Sequence, residues 1–82
     1  MDDIEIAVLK AMHSRRVYGK HHKRFETVIH SGFPSHLLGD VKKAIYSLIK
    51  QGFIVYAKRS KEAIQLNKEK LREIEIIIKE NS

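Results

Sequence analysis

The sequence predicts a mainly α domain carrying a small β-hairpin, with a three-helix core, two strands and a C-terminal helix. Three observations lead there. Apolar residues recur at the helical period in four separate segments. After Gly52 that period gives way to a β-branched and aromatic tract, followed by an alternating one. Gly19, Gly32, Pro34, Gly52 and Asn67 punctuate the joins.

The first helix covers residues 2–13. At 100° per residue Ile4, Ala7, Val8, Ala11 and Met12 share one side, while Ile6 and Leu9 fall outside that stripe. The connection "SRRVYGKHH" breaks at Gly19, with room for a short strand at Val17 and Tyr18. A second helix is expected from His21 to His30, burying Phe25, Val28 and Ile29. "SGFPS" ends it: Gly32 suits a left-handed cap, and Pro34 keeps Phe33 out of helical geometry. Ser35 is the expected N-cap of a third helix, which Leu38, Val41, Ala44, Ile45 and Leu48 carry to Gln51. "FIVYAK" and "AIQL" then form a hairpin around the polar tip "RSKE". Asn67 caps a final helix whose buried stripe is Leu71, Ile74, Ile77 and Ile78.

Length bounds the rest. With 82 residues and no repeat or linker, the chain is read as one domain, residues 1–82, with a single modest core. Cysteine is absent, which removes disulfides, thiolate nucleophiles and Cys-based zinc sites together. No run approaches the roughly 20 apolar residues of a membrane span, and the acidic start "MDDIE" is the wrong charge for a secretory leader. A cytoplasmic setting is expected. There is no P-loop, no dinucleotide fingerprint and no paired-carboxylate constellation beside a serine or histidine, so neither an enzymatic activity nor a cofactor is expected.

The formal net charge of +6 is concentrated in two blocks. Residues 13–24 hold Arg15, Arg16, Lys20, Lys23 and Arg24 with no carboxylate, and residues 42–61 hold Lys42, Lys43, Lys50, Lys58, Arg59 and Lys61 with none. A fold that brings the blocks together creates a phosphate-binding face; one that does not leaves solvated charge.

The tract "VKKAIYSLIKQGFIV", residues 41–55, resembles the winged helix-turn-helix family of small transcription regulators. That family places an apolar residue, an Ala and Leu/Ile pair three and four on, a Leu at seven, a Gly at eleven and then two apolar residues. Val41, Ala44, Ile45, Leu48, Gly52, Phe53 and Ile54 fill those places. The turn "SGFPSHLLGD" is longer than the common "LGIS" type, and the hairpin tip lacks the frequent glycine.

The resemblance implies a protein that binds double-stranded DNA: the third helix, residues 36–51, reads the major groove, and the wing and the start of the second helix touch phosphates. His36, Gly39, Asp40, Lys43, Tyr46, Ser47 and Lys50 lie opposite the buried stripe, with Lys42 on its flank. Lys58, Arg59 and Lys61 belong to the wing, and Lys20, Lys23 and Arg24 to the helix start, where free N–H groups favour an anion. Gly39 is explained either by a close approach to DNA or by tight packing on the second helix.

Other readings stay open beside it. A winged helix also serves as a protein–protein assembly module or as an accessory factor in RNA or nucleic-acid processing. Tyr18 and Tyr56 offer rings for stacking or fill half-buried strand positions. His22, Glu26 and His30 follow an i, i+4, i+8 spacing along one helix flank, a weak metal site that needs a fourth ligand from His13, His36 or a partner. Ile6, Leu9 and Ile76 form surplus apolar surface on the terminal helices, and a homodimer through them is expected.

Overall fold

The computed structural model describes residues 1–57 and 61–82. Helix α1 spans Asp3–Ser14, strand β1 Lys23–Arg24, helix α2 Phe25–His30, helix α3 Leu38–Lys50, strands β2 and β3 Ile54–Tyr56 and Ala63–Leu66, and helix α4 Leu71–Glu80. Single turns of 3-10 helix at Ser35–Leu37 and Lys68–Lys70 lead into α3 and α4. The strands form one antiparallel sheet in the order β1-β3-β2.

Helix α1 begins with a reciprocal cap. The Glu5 amide donates to Asp2 Oδ1 at 2.8 Å, and the Asp2 amide donates to Glu5 Oε1 at 3.1 Å, so two N–H groups that an N-terminus leaves orphaned are satisfied. Its buried side consists of Glu5, Val8, Leu9 and Met12. That side is turned about 90° from the stripe read from hydrophobicity, counting 100° per residue: Ile4, Ala7 and Ala11 are half-buried, and Leu9 is fully enclosed. The cause is Glu5, a carboxylate inside the helix seam that a hydrophobic count places outside.

Between α1 and α2 the chain departs from expectation. Arg16 adopts φ 55°, a turn geometry usually left to glycine, and Val17 enters the core. The expected strand at Val17 and Tyr18 reduces to one parallel bridge from Tyr18 to Leu66, with the Leu66 amide donating to the Val17 carbonyl at 2.8 Å. The second helix does not start at His21. Lys23 and Arg24 instead pair with Ile64 and Ala63, making the expected two-stranded hairpin a three-stranded sheet. β3 has a free edge once β2 has paired on its other side, and unpaired edge N–H and C=O groups recruit whatever extended segment lies alongside. The six-residue α2 then starts at Phe25 and buries Phe25, Val28 and Ile29.

Ser35 is not the cap of α3. It opens the 3-10 turn, neither Pro34 nor Leu37 caps with a side chain, and the extra turn accounts for the long connection. From Leu38 the helix follows its pattern, burying Val41, Ala44, Ile45 and Leu48. It ends at Gly52, whose φ of +86° lies in the left-handed region; the Gly52 and Phe53 amides donate back to the carbonyls of Ile49 and Leu48 at 3.0 and 2.9 Å. Asn67 works in both directions: its Oδ1 accepts from the Glu69 amide at 3.1 Å, and its Nδ2 donates to the Gly52 carbonyl at 2.9 Å. One side chain thus joins the end of α3 to the 3-10 turn that precedes α4, so Asn67 caps that turn and not α4 itself, whose N-cap is Lys70.

The core gathers Val8, Leu9 and Met12 of α1, Val41, Ile45 and Leu48 of α3, Ile54, Ile64 and Leu66 of the sheet, and Ile74 of α4. Leu71, Ile77 and Ile78 are half-buried against it. Outside the core, α4 is held to α1 by His13 Nε2 and Glu75 Oε2 at 2.9 Å and by Lys10 Nζ, which donates to the Asn81 carbonyl at 2.6 Å. Among the described residues no helix is long and apolar enough to cross a membrane.

Candidate nucleic-acid interface

Burial of Val41, Ala44, Ile45 and Leu48 fixes the rotation of α3 and leaves Gly39, Lys42, Lys43, Tyr46 and Lys50 exposed. Lys42 and Tyr46 stand one helical turn apart on the flank nearest the sheet. Together with Arg24, Phe25, Glu26, Lys61 and Glu62 they line a cleft of about 440 Å³. Arg24 comes from β1, Lys61 from the residues that lead into β3, and Lys42 from α3. Three cations distant in sequence therefore converge on one opening. Among the described residues none of the three is engaged in an ion pair.

Tyr46 forms part of the wall. It is 48% exposed, and its ring centroid lies 5.2 Å from that of Phe25 with the planes 35° apart. Phe25 itself is 8% exposed, so it serves as a fixed backing for the more open ring. Two carboxylates, Glu26 and Glu62, also border the cleft. Glu26 is 3.6 Å from His30 one turn further along α2, and the Glu62 carbonyl accepts from the Phe25 amide at 2.6 Å.

The pleat of β1 separates two neighbours that the sequence treats as one block. Arg24 lies across from Ala63 and turns into the cleft, whereas Lys23 lies across from Ile64 and lines a different depression of about 120 Å³ with Ala11, Met12, Arg15, Val17, Val28 and Ser31. Lys20 is exposed just after Gly19, away from any helix start, and His36 is exposed on the 3-10 turn. The helix start expected within "GKHHKR" moves to its end: Lys20 lies in a turn and Lys23 in a strand, and only Arg24, the last residue of β1 and the N-cap of α2, stands at the helix N-terminus. Lys58 and Arg59 lie outside the described residues.

The expected groove face of α3 also divides. Ser47 points toward α1, where its hydroxyl donates to Glu5 Oε2 at 2.9 Å; Gln51 Nε2 donates to the same oxygen at 2.8 Å. Lys43 and Asp40 border that side, in a third depression of about 270 Å³ with Asp2, Ile4, Glu5, Ala44 and Ser47. Ser47 therefore ties two helices together instead of facing outward. Burial pushes the Glu5 carboxyl up, but the Asp2 amide, the Ser47 hydroxyl, the Gln51 amide and the nearby N-terminal ammonium together outweigh it and hold the group below the usual carboxylate range. Gly39 is not packed either: a Cβ built there meets no heavy atom within 4 Å, which removes tight packing on α2 as its explanation.

Two further expectations change. His22 precedes β1 and is not on α2, so the i, i+4, i+8 series ends at Glu26 and His30, and among the described residues no group of three metal-ligating side chains assembles. Leu9 is fully buried in the core and cannot belong to a dimer seam; Ile6 is half-buried, and Ile76 is 52% exposed.

Sequence reasoning missed Phe25 as the backing of Tyr46, the place of Glu26 and Glu62 on the rim of the cleft, and the Glu5 seam. The Asp2-to-Glu5 spacing of a capping box was a readable signal for part of the last. Comparison with protein-family models, with curated proteins and with solved structures gave no match.

Proposed function

We propose that this chain is a winged-helix protein that binds double-stranded DNA, with α3 presented to the major groove and β1 and the hairpin presented to phosphates, and that it acts as a transcription regulator through occupancy of its site. The order of three helices, a hairpin and a C-terminal helix supports this. The observation that carries the reading is the convergence of Arg24, Lys42 and Lys61 beside the exposed strip of α3. Phosphates track cations that several segments deliver to one side of a fold, and each neutralised phosphate releases counterion. Lys43 and Lys50 extend the same charge along α3, where base edges are read.

Backbone amide shifts on adding a short duplex to isotopically labelled protein test the reading. The largest changes are expected at Arg24, Lys42, Tyr46 and Lys61, with α4 unchanged; changes concentrated on α4, or none at all, refute it. A protein-assembly role is the second reading. Glu26 favours it, since an exposed carboxylate on the cleft repels phosphate and suits a partner that brings its own cations.

A further inference from the structure

We propose that the cleft between α3 and the hairpin receives a single unpaired nucleotide, so that the favoured target is a DNA duplex with an extrahelical base rather than a fully stacked one. The inference rests on the nucleic-acid reading above and names the substrate of that same site. Three features of the cleft point to it. Tyr46 offers an aromatic face, 48% exposed and backed by Phe25 at 5.2 Å, and a base within an intact duplex has no free face to set against it. The opening, about 440 Å³, lies in the range of sites that enclose a small organic ligand, whereas a phosphate contact alone requires no concavity. Its rim mixes Arg24, Lys42 and Lys61 with Glu26 and Glu62. The cations suit the phosphates on either side of a displaced nucleotide, and the exposed Glu26 carboxylate suits an amino group on a base edge.

A duplex approaching the outward strip of α3 places its backbone across Lys42 and Lys61, and a base that has left the stack enters between them onto Tyr46. Unpairing costs a few kcal/mol in an intact duplex and little at a bulge, so stacking on the tyrosine appears as a preference for the bulged substrate.

Fluorescence anisotropy tests this with three labelled duplexes of the same sequence: fully paired, with one extra base, and with an abasic residue in place of that base. The wild-type chain is expected to bind the extra-base duplex at least about fivefold more tightly than the other two, the lower end of what one base–aromatic stack supplies. Tyr46→Phe keeps the ring and is expected to keep the preference. Tyr46→Ala removes it, so that the ratio of its affinities for the extra-base and abasic duplexes falls to about one, with circular dichroism confirming the fold. Equal affinity for all three duplexes overturns the unpaired-nucleotide inference and leaves duplex binding standing. Equal affinity for the extra-base and abasic bulges also overturns it, because bending and not the base is then being read. No binding to any of the three overturns both the inference and the nucleic-acid reading beneath it.

Discussion

Replacing Glu5 by glutamine tests the seam between α1 and α3 with almost no change of shape. Oε1 accepts the Asp2 amide, and Oε2 accepts both Ser47 Oγ and Gln51 Nε2 at 2.9 and 2.8 Å. An amide has one acceptor oxygen. If that oxygen stays on Ser47 and Gln51, a donor faces the Asp2 N–H and half of the capping box is lost, while the two remaining bonds no longer end on a charge. Bonds to charged groups contribute about 1.5–3 kcal/mol and neutral ones about 0.5–1.5. Asp2 and Gln51 are exposed and recover water, which reduces the loss, so Glu5→Gln should cost about 2 kcal/mol at pH 7. At about 4–8 °C per kcal/mol for a chain of this length, thermal unfolding should fall by roughly 8–16 °C. The sign with pH follows from the lowered carboxyl. Its stabilisation is complete above the unfolded value near 4.5 and disappears as pH falls through the depressed folded value. Melting both proteins by circular dichroism between pH 7 and pH 3 should therefore show the gap closing only below about 4.5. Equal Tm values at pH 7, or a gap unchanged at pH 3, would refute the assignment.

Other changes probe the frame. Asn67→Ala removes both the Glu69 cap and the bond to Gly52 and is expected to cost about 1–2 kcal/mol in urea denaturation. Gly52→Ala forces a Cβ into a φ of +86° and should cost about 1–2 kcal/mol, read by the same melts. Gly39→Ala meets open space within a helix and is expected to stabilise by up to about 1 kcal/mol; if DNA affinity falls at the same time, the glycine serves close approach to the duplex.

Much of the frame is legible in the sequence because local rules and tertiary burial agree there. Val41, Ala44, Ile45 and Leu48 are all buried, Gly52 stops α3, the hairpin strands lie within their two tracts, and Asn67 caps the turn into α4. Failures occur where a tertiary partner decides the outcome. Nothing local in "KR" marks a strand; Lys23 and Arg24 become one because β3 presents an open edge. The rotation of α1 hinges on Glu5, whose burial depends on donors 42 and 46 residues away. The same long-range bond draws Ser47 off the outward face of α3. Within the cleft, helical spacing was enough to place Lys42 and Tyr46 near each other, and the position of Lys61 followed from its place beside the hairpin. The division of Lys23 from Arg24 required a pleat whose existence the sequence did not announce.

The most direct test of the DNA-binding reading is the salt dependence of duplex binding, measured by anisotropy for the wild-type chain and for the triple variant Arg24→Ala, Lys42→Ala, Lys61→Ala. If those three side chains each neutralise a phosphate, the slope of log affinity against log salt should drop by about 2 to 3 in the variant, since each contact contributes about 0.9. An unchanged slope, or a wild-type chain that fails to bind duplex even at low salt, would contradict it.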